Sequence, residues 1–152
     1  MPEVANLGIA RPPLVYLSTI VMGSLLEFAW PTALLPRGFA TPVGSTLVVA
    51  AVTLFFYSVG KFRAAGTPVP GNRPTTAIVR TGPYRFSRNP IYVAFSLLQL
   101  GIAAWMNSVW LIATLIVAIA VMTMVIQREE RYLERTFGTE YLDYKARVRR
   151  WI

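Results

Sequence analysis

Two short polar stretches of this 152-residue sequence carry the side chains best suited to bind a charged ligand. The first, "RTGPYRFSRNPIYVAF" at residues 80–95, contains three arginines and two tyrosines directly before a long apolar run. The second, "QREER" at residues 127–131, places Glu129 and Glu130 side by side at the end of another apolar run. Arginine side chains bind carboxylates and phosphates. The first stretch is therefore either a binding loop or a basic membrane flank.

Composition excludes several kinds of chemistry. The chain contains no Cys and no His, which excludes disulfides, thiol catalysis and Cys-metal sites and removes the commonest general base and metal ligand. We therefore expect no metal site. Any chemistry must use carboxylates, Tyr, Arg, Lys, amides, the backbone or a bound cofactor.

The charge and hydropathy of the chain indicate a membrane protein. Of the residues, 55% are hydrophobic and 14% are charged, the mean hydropathy is +0.49, and the formal net charge is +8. The basic residues lie beside apolar runs, which favours anionic membrane lipids over nucleic acid as their partners.

Four apolar segments define the predicted architecture: residues 13–35, 43–60, 90–106 and 108–126. A spanning helix needs about 20 mostly apolar residues. The first and fourth segments meet that length, and the second and third must borrow flanking residues. The sequence predicts an all-α, multi-pass membrane helical bundle with about four transmembrane helices, forming a single domain over residues 1–152. No cleavable signal peptide is expected.

The basic residues between the spans set the expected orientation. One group lies between the second and third segments and another follows the fourth, whereas the loop after the first segment has only Arg37. The positive-inside rule places both groups in the cytoplasm. We expect a protein of a bacterial cytoplasmic membrane with both termini and the site facing the cytoplasm.

The third and fourth segments are joined by residues 106–108 alone, which predicts a tight antiparallel helical hairpin. Such a hairpin brings the start of the third helix close to the end of the fourth. Residues 88–92 should therefore face residues 127–131. No family resemblance is needed for this geometric expectation.

Local signals place the start of the third helix at Pro90, with Asn89 as its N-cap. A helix N-terminus beside Arg85 and Arg88 would attract a carboxylate or a phosphate. The alternative is a capped helix with headgroup-facing arginines and interfacial tyrosines. Gly82 and the proline after it predict a turn just upstream.

Glu129 and Glu130 point about 100° apart if they are helical, so one can face a pocket beside Arg88 while the other meets solvent or an arginine. The alternative is a surface salt-bridge pair. Beyond them, apolar and aromatic residues recur at three- or four-residue steps, which predicts an amphipathic helical tail interrupted at Gly138. The tail either covers the pocket or anchors the chain to the interface; the residues of the stripe are Leu133, Phe137, Tyr141, Tyr144, Val148 and Trp151.

Other polar residues of the apolar segments and their flanks have two readings each. Glu27 contacts an acceptor cavity, or it makes a structural hydrogen bond near the outer interface. Gln99 joins helices or contacts a substrate, with joining favoured. Lys61 and Arg63 read as a membrane flank, and Arg73 as a cofactor contact or a solvated side chain.

The motifs "GPYRFSRNPIY" and "REERYLERTFGTEYLDYKARVRRWI", separated by the tight hairpin, resemble those of membrane methyltransferases related to isoprenylcysteine carboxyl methyltransferase and phospholipid N-methyltransferases. The resemblance covers residues 80–152. It implies S-adenosylmethionine as the cofactor, bound at the cytoplasmic end of the bundle, and a hydrophobic or lipid-like acceptor that enters from the bilayer. Asn89 stands where the family has histidine, and Ala94 where a glycine is usual.

The resemblance implies a set of site residues. It assigns catalytic roles to Glu129, Arg88 and Asn89. It assigns cofactor binding to Gly82, Tyr84, Arg88, Asn89, Pro90, Tyr92, Glu129 and Glu130. The separate roles of the two glutamates stay open.

Two rival functions stay open beside the methyltransferase. One is a nicotinamide-dependent membrane reductase built on a related helical core, although a larger chain is expected for it. The other is a non-catalytic membrane binding protein, in which Asn89 reflects lost catalysis.

Overall fold

The computed structural model describes residues 11–69 and 73–152, and the regular secondary structure of this part of the chain is helical apart from one isolated parallel bridge between Ser87 and Arg149. A short 3-10 helix, Gly82–Arg85, lies between the second and third helices. The expectation that the N-terminus faces the cytoplasm concerns residues 1–10, which lie outside the described residues. Residues 70–72, in the loop that contains Arg73, lie outside them as well. The five helices are α1 (Pro12–Ala29), α2 (Arg37–Ala64), α3 (Pro90–Trp105), α4 (Val109–Phe137) and α5 (Thr139–Arg147).

The helices confirm the all-α membrane class. In the described part of the chain, α1, α2 and α4 are long and apolar enough to cross a membrane, and α3 is a shorter apolar helix of 16 residues. Large apolar side chains such as Phe28, Phe56 and Ile116 are exposed. A soluble protein rarely exposes so many, and a lipid-facing surface accounts for them.

The helix boundaries differ from the predicted segments in three places. Helix α1 ends at Ala29 rather than near residue 35, because Pro31 forces Trp30 out of the helical region (φ −137°, ψ 85°). Helix α2 extends past both ends of its predicted segment. Helix α4 continues past Ile126 to Phe137, so the acidic pair lies on the same rigid helix as the fourth apolar segment.

The hairpin between α3 and α4 is as tight as predicted, since only residues 106–108 separate the two helices. The hydroxyl of Ser108 accepts a hydrogen bond from the Leu111 amide at 3.3 Å and so caps α4. The side chain of Asn107 accepts from the amides of Leu34 and Leu35 at 2.9 and 2.6 Å, which ties the α1–α2 loop to the hairpin.

Gln99 joins three helices and is fully buried. Its carbonyl accepts from the Thr19 hydroxyl of α1 at 2.9 Å, and its amide donates to the Thr114 hydroxyl of α4 at 3.2 Å. The predicted helix-joining role is confirmed.

Both carboxylate oxygens of Glu27 accept from Thr32, one from its amide and one from its hydroxyl, each at 2.6 Å. This contact agrees with the structural alternative for Glu27.

Glycine allows the close packing of α2 on α3. A Cβ at Gly44 would lie 2.7 Å from the backbone nitrogen of Trp105, and one at Gly101 would lie 2.9 Å from that of Val48. Backbone atoms cannot move aside as a flexible side chain can. Small residues at both positions therefore set the distance between the helices that carry the site.

We expect Gly44→Ala to destabilise the protein by about 1–3 kcal/mol, because the added methyl group overpacks a backbone contact. The matched control is Gly60→Ala on the same helix, where an added Cβ meets no described atom within 4 Å. That control should be neutral or stabilising by up to about 1 kcal/mol, since alanine is the better helix former. Thermal unfolding in detergent measures both, and an equal shift in the two variants would contradict the packing argument.

Candidate functional site

The start of α3 and the C-terminal part of α4 meet as predicted. The Tyr92 hydroxyl donates to both carboxylate oxygens of Glu129, at 2.8 and 3.0 Å. Arg88 Nη2 lies 3.1 Å from Glu130 Oε1. Glu129 and Glu130 are 6% and 4% exposed, so the alternative of a surface salt-bridge pair is wrong.

Helix α3 begins at Pro90, as predicted, but Asn89 does not cap it through its side chain. The Asn89 carbonyl accepts from the amides of Tyr92 and Val93 at 3.0 and 3.1 Å. Its side-chain amide instead donates to the Arg150 carbonyl at 3.0 Å. Asn89 is therefore the N-cap residue, as predicted, but its side chain does not bond to the first turn of the helix, because it is bound to the Arg150 carbonyl.

Arg88 is the centre of the site. Its side chain is 8% exposed, and only Nη2 is paired, with Glu130. Buried Nε and Nη1 have no hydrogen-bond partner among residues 11–69 and 73–152. Leaving buried donors unpaired is costly, and more so on a charged group. Two such donors on one guanidinium make Arg88 a candidate for binding an anionic ligand.

A polar, aromatic-walled cavity lies next to these donors. The loop before the 3-10 helix forms one side of it, and α5 lines another, which agrees with the first of the two alternatives for the tail. Its polar lining includes Arg73, so the reading of this arginine as a cofactor contact stays open. The residues that bring charge or aromatic rings to the cavity are Phe62, Arg73, Tyr84, Arg88, Asn89, Glu129, Glu130, Tyr132, Tyr141 and Tyr144.

Three tyrosines stay protonated at this cavity. Burial raises the pKa of Tyr141 to about 12; Glu130 acts in the same direction and Arg88 opposes it. Burial also raises the pKa of Tyr84 and of Tyr144. The Tyr144 hydroxyl donates to the Tyr84 carbonyl at 2.7 Å, whereas the buried Tyr84 hydroxyl has no partner among the described residues. Neutral phenols here can donate a hydrogen bond or border a ligand ring.

The predicted site residues line cavities on two sides of residues 82–90. Tyr84, Arg88, Asn89, Glu129 and Glu130 line the polar cavity. Tyr92 lines a smaller adjoining cavity with Arg88 and Glu129.

Gly82 and Pro90 line a different space, an open groove of about 620 Å³ that also includes Phe86, Trp151 and Ile152. Gly82 has a positive φ of 60°, and a Cβ there would lie 2.7 Å from the Lys61 side chain. Glycine at this position is therefore required by the turn and its packing.

Sequence reasoning placed Tyr141 and Tyr144 on the tail stripe but did not name them as site residues. Their spacing with Leu133 on one helical face was the available signal. Arg150 gave no signal of its own, because the tail contains several arginines and none differs from the others by spacing.

Sequence comparisons match the chain to a family model and to other proteins. The model of the family described as "Phospholipid methyltransferase" matches residues 39–140. An uncharacterized protein of Haemophilus influenzae is 38% identical over 63 residues, which is 41% of this chain and all of that protein. A nickel-cobalt-cadmium resistance protein of Alcaligenes xylosoxydans xylosoxydans is 40% identical over 77 residues, 50% of this chain and 36% of that protein.

A solved structure shares the fold. The eukaryotic intramembrane Ras methyltransferase, isoprenylcysteine carboxyl methyltransferase, superposes with a TM-score of 0.70 and 18% sequence identity. The match covers 92% of this chain and 51% of that one, so this chain spans about half the length of the solved enzyme. At this identity the match shows the fold alone.

Proposed function

The chain belongs to the phospholipid methyltransferase family, and from that premise we propose that it transfers a methyl group from S-adenosylmethionine to a hydrophobic or lipid-like acceptor. The observation that carries the proposal is the buried Arg88 guanidinium, which keeps two unpaired donors beside the buried carboxylate of Glu129. The basic loop and tail support a site on the cytoplasmic face.

The residues of the cavity fit this cofactor. Nε or Nη1 of Arg88 would donate a charge-assisted hydrogen bond to its carboxylate. Glu129, which has no cationic partner in the described part of the chain, would hold its ammonium group. Tyr84, Tyr141 or Tyr144 would border the adenine ring or, through cation–π attraction, the sulfonium.

The enclosed part of the cavity is small, about 60 Å³, although its open mouth extends well beyond that. A nucleoside-sized ligand needs a few hundred Å³ of site volume. Binding therefore requires the residues that cover the cavity to move apart. The covering elements are the loop before the 3-10 helix and α5, as expected for a tail that closes over a ligand.

S-adenosylmethionine supplies an activated methyl group, which passes to the acceptor's lone pair while the carbon–sulfur bonding electrons return to sulfur. This displacement creates no strong oxyanion, so the protein mainly needs to align the reactants and exclude water. Asn89 cannot take up a proton as a histidine could. The site therefore suits an acceptor that needs no strong base. If the acceptor has to lose a proton, the Glu129 carboxylate would take it up.

An amphiphilic acceptor fits the surroundings of the site. The groove on the other side of residues 82–90 is lined by apolar and aromatic side chains, among them Tyr57, Phe86 and Trp151. The groove and the polar cavity are lined by adjacent residues of the chain: Arg88 and Asn89 line the cavity, and Pro90 lines the groove. The acceptor classes that fit are a prenylated cysteine, a phospholipid amine, a quinone-like lipid and a small hydrophobic thiol.

Ligand titration of the detergent-purified protein tests the proposal and separates it from its two rivals. We expect saturable binding of S-adenosylmethionine, and transfer of its labelled methyl group into a lipid extract. Saturation by NADPH instead would identify a membrane reductase. Binding of neither ligand would identify a non-catalytic protein.

A further inference from the structure

Residues 149–152, which we call the clasp, lie against the start of α3. The parallel bridge pairs Ser87 with Arg149, and the Arg88 amide donates to the Arg149 carbonyl at 2.9 Å. The side-chain amide of Asn89 donates to the Arg150 carbonyl at 3.0 Å. A main-chain hydrogen bond from Arg88 and a side-chain hydrogen bond from Asn89 thus join the clasp to the start of α3.

The Arg150 side chain donates a fork of two hydrogen bonds to the Glu130 carboxylate. Its Nε lies 3.0 Å from Oε1, and its Nη2 lies 2.9 Å from Oε2. Arg88 Nη2 shares Oε1 at 3.1 Å. The Glu130 side chain is only 5% exposed, so both of its oxygens need protein donors. One buried carboxylate therefore serves two guanidinium groups.

Removing Arg150 would leave Oε2 of Glu130 without a donor in a buried place. Arg88 carries two donors that are unpaired in the described part of the chain, Nε and Nη1. Either one could join Nη2 in a two-bond pair with the Glu130 carboxylate, and that pair would use a donor that is otherwise left for a ligand. The fork from Arg150 prevents that rearrangement.

We propose that the clasp positions Arg88 for ligand binding: Arg150 occupies Glu130, Asn89 anchors the clasp, and Arg88 keeps Nε and Nη1 as donors for a ligand, one of them for its carboxylate. Arg150 and Asn89 are positioning residues in this scheme. The inference rests on the proposed function for the identity of the ligand, S-adenosylmethionine. It also gives Asn89 a role that does not require a base.

Binding to the full-length protein in detergent tests the clasp. We expect Arg150→Gln to raise the dissociation constant for S-adenosylmethionine about tenfold or more, because a charge-assisted contact of Arg88 is lost. Arg150→Lys keeps the charge without the fork and should lose about threefold. Asn89→Ala should fall between them. The matched control is Arg147→Gln, because the Arg147 side chain is exposed and has no hydrogen bond or ion pair with any described residue.

A second ligand separates positioning from general damage. 5′-Methylthioadenosine shares the nucleoside of S-adenosylmethionine but has no carboxylate. If the clasp acts through Arg88, Arg150→Gln should weaken S-adenosylmethionine binding and leave 5′-methylthioadenosine binding unchanged. An equal loss for both ligands, or no loss for either, would overturn the proposal while leaving the proposed function intact.

Amide hydrogen exchange gives a readout that needs no ligand. The Arg88 amide should exchange faster in Asn89→Ala than in the wild type or in Arg147→Gln, because the clasp no longer protects it. If wild-type protein binds no S-adenosylmethionine, the proposed function and the ligand assignment fail together. Exchange at residues 87–89 then still decides the clasp, since unchanged exchange in Asn89→Ala would overturn it.

Discussion

Replacing Arg88 with methionine is expected to weaken binding of S-adenosylmethionine about 100-fold and to abolish methyl transfer at ordinary cofactor concentrations. The variant removes a charge-assisted hydrogen bond to the cofactor carboxylate, which contributes about 1.5–3 kcal/mol. Methionine fills much of the same volume, and Glu130 keeps Arg150 as its partner. The fold should therefore survive. Isothermal titration of the detergent-purified variant measures the loss.

Arg131→Met is the matched control for this prediction, because Arg131 is exposed on the same helix as Glu130. It has no side-chain hydrogen bond or ion pair with another described residue. Binding should be unchanged in this control. An Arg88→Met variant that keeps its affinity within threefold of the wild type would show that the cofactor carboxylate lies elsewhere.

The contact between the two polar stretches was readable from the sequence because a very short connection leaves two apolar helices little freedom. Residues 106–108 force α3 and α4 to run antiparallel, which brings the start of α3, with Tyr92, toward the C-terminal half of α4, which carries Glu129. The helix start at Pro90 was readable for a similar reason, since proline fixes the local backbone and cannot continue a helix from the preceding turn. Both signals are local, and both were confirmed.

The partners of individual polar groups were not readable in the same way. Asn89 had a good local use as a helix cap, but the Arg150 carbonyl, 61 residues further along the chain, takes its side chain. The sequence also could not show that Glu130 would be shared by two arginines, since several arginines of the tail have similar spacing. Hydrogen bonds between distant segments depend on the packed backbone, and no periodicity records them.

Glu129→Gln is expected to weaken binding of S-adenosylmethionine about 30-fold, because it removes the buried charge that faces the cofactor ammonium group. S-adenosylhomocysteine carries the same ammonium but no sulfonium, so its affinity should fall by the same factor. 5′-Methylthioadenosine lacks the ammonium and should bind as before. The control is Glu140→Gln, since Glu140 is an exposed acid paired with Arg80 at the surface.

The ratio of the two losses identifies what Glu129 faces. A much larger loss for S-adenosylmethionine than for S-adenosylhomocysteine would place Glu129 beside the sulfonium and contradict the ammonium assignment. No loss for either ligand would remove Glu129 from the site altogether.

Tyr92 should act through Glu129 alone, because its hydroxyl donates to both oxygens of that carboxylate. We expect Tyr92→Phe to weaken S-adenosylmethionine binding about threefold, since one neutral donor to the carboxylate is lost while its charge stays. In a Glu129→Gln background the same change should have almost no further effect, because the group that Tyr92 orients is gone. Independent, multiplying losses in the double variant would mean that the Tyr92 hydroxyl contacts the cofactor itself.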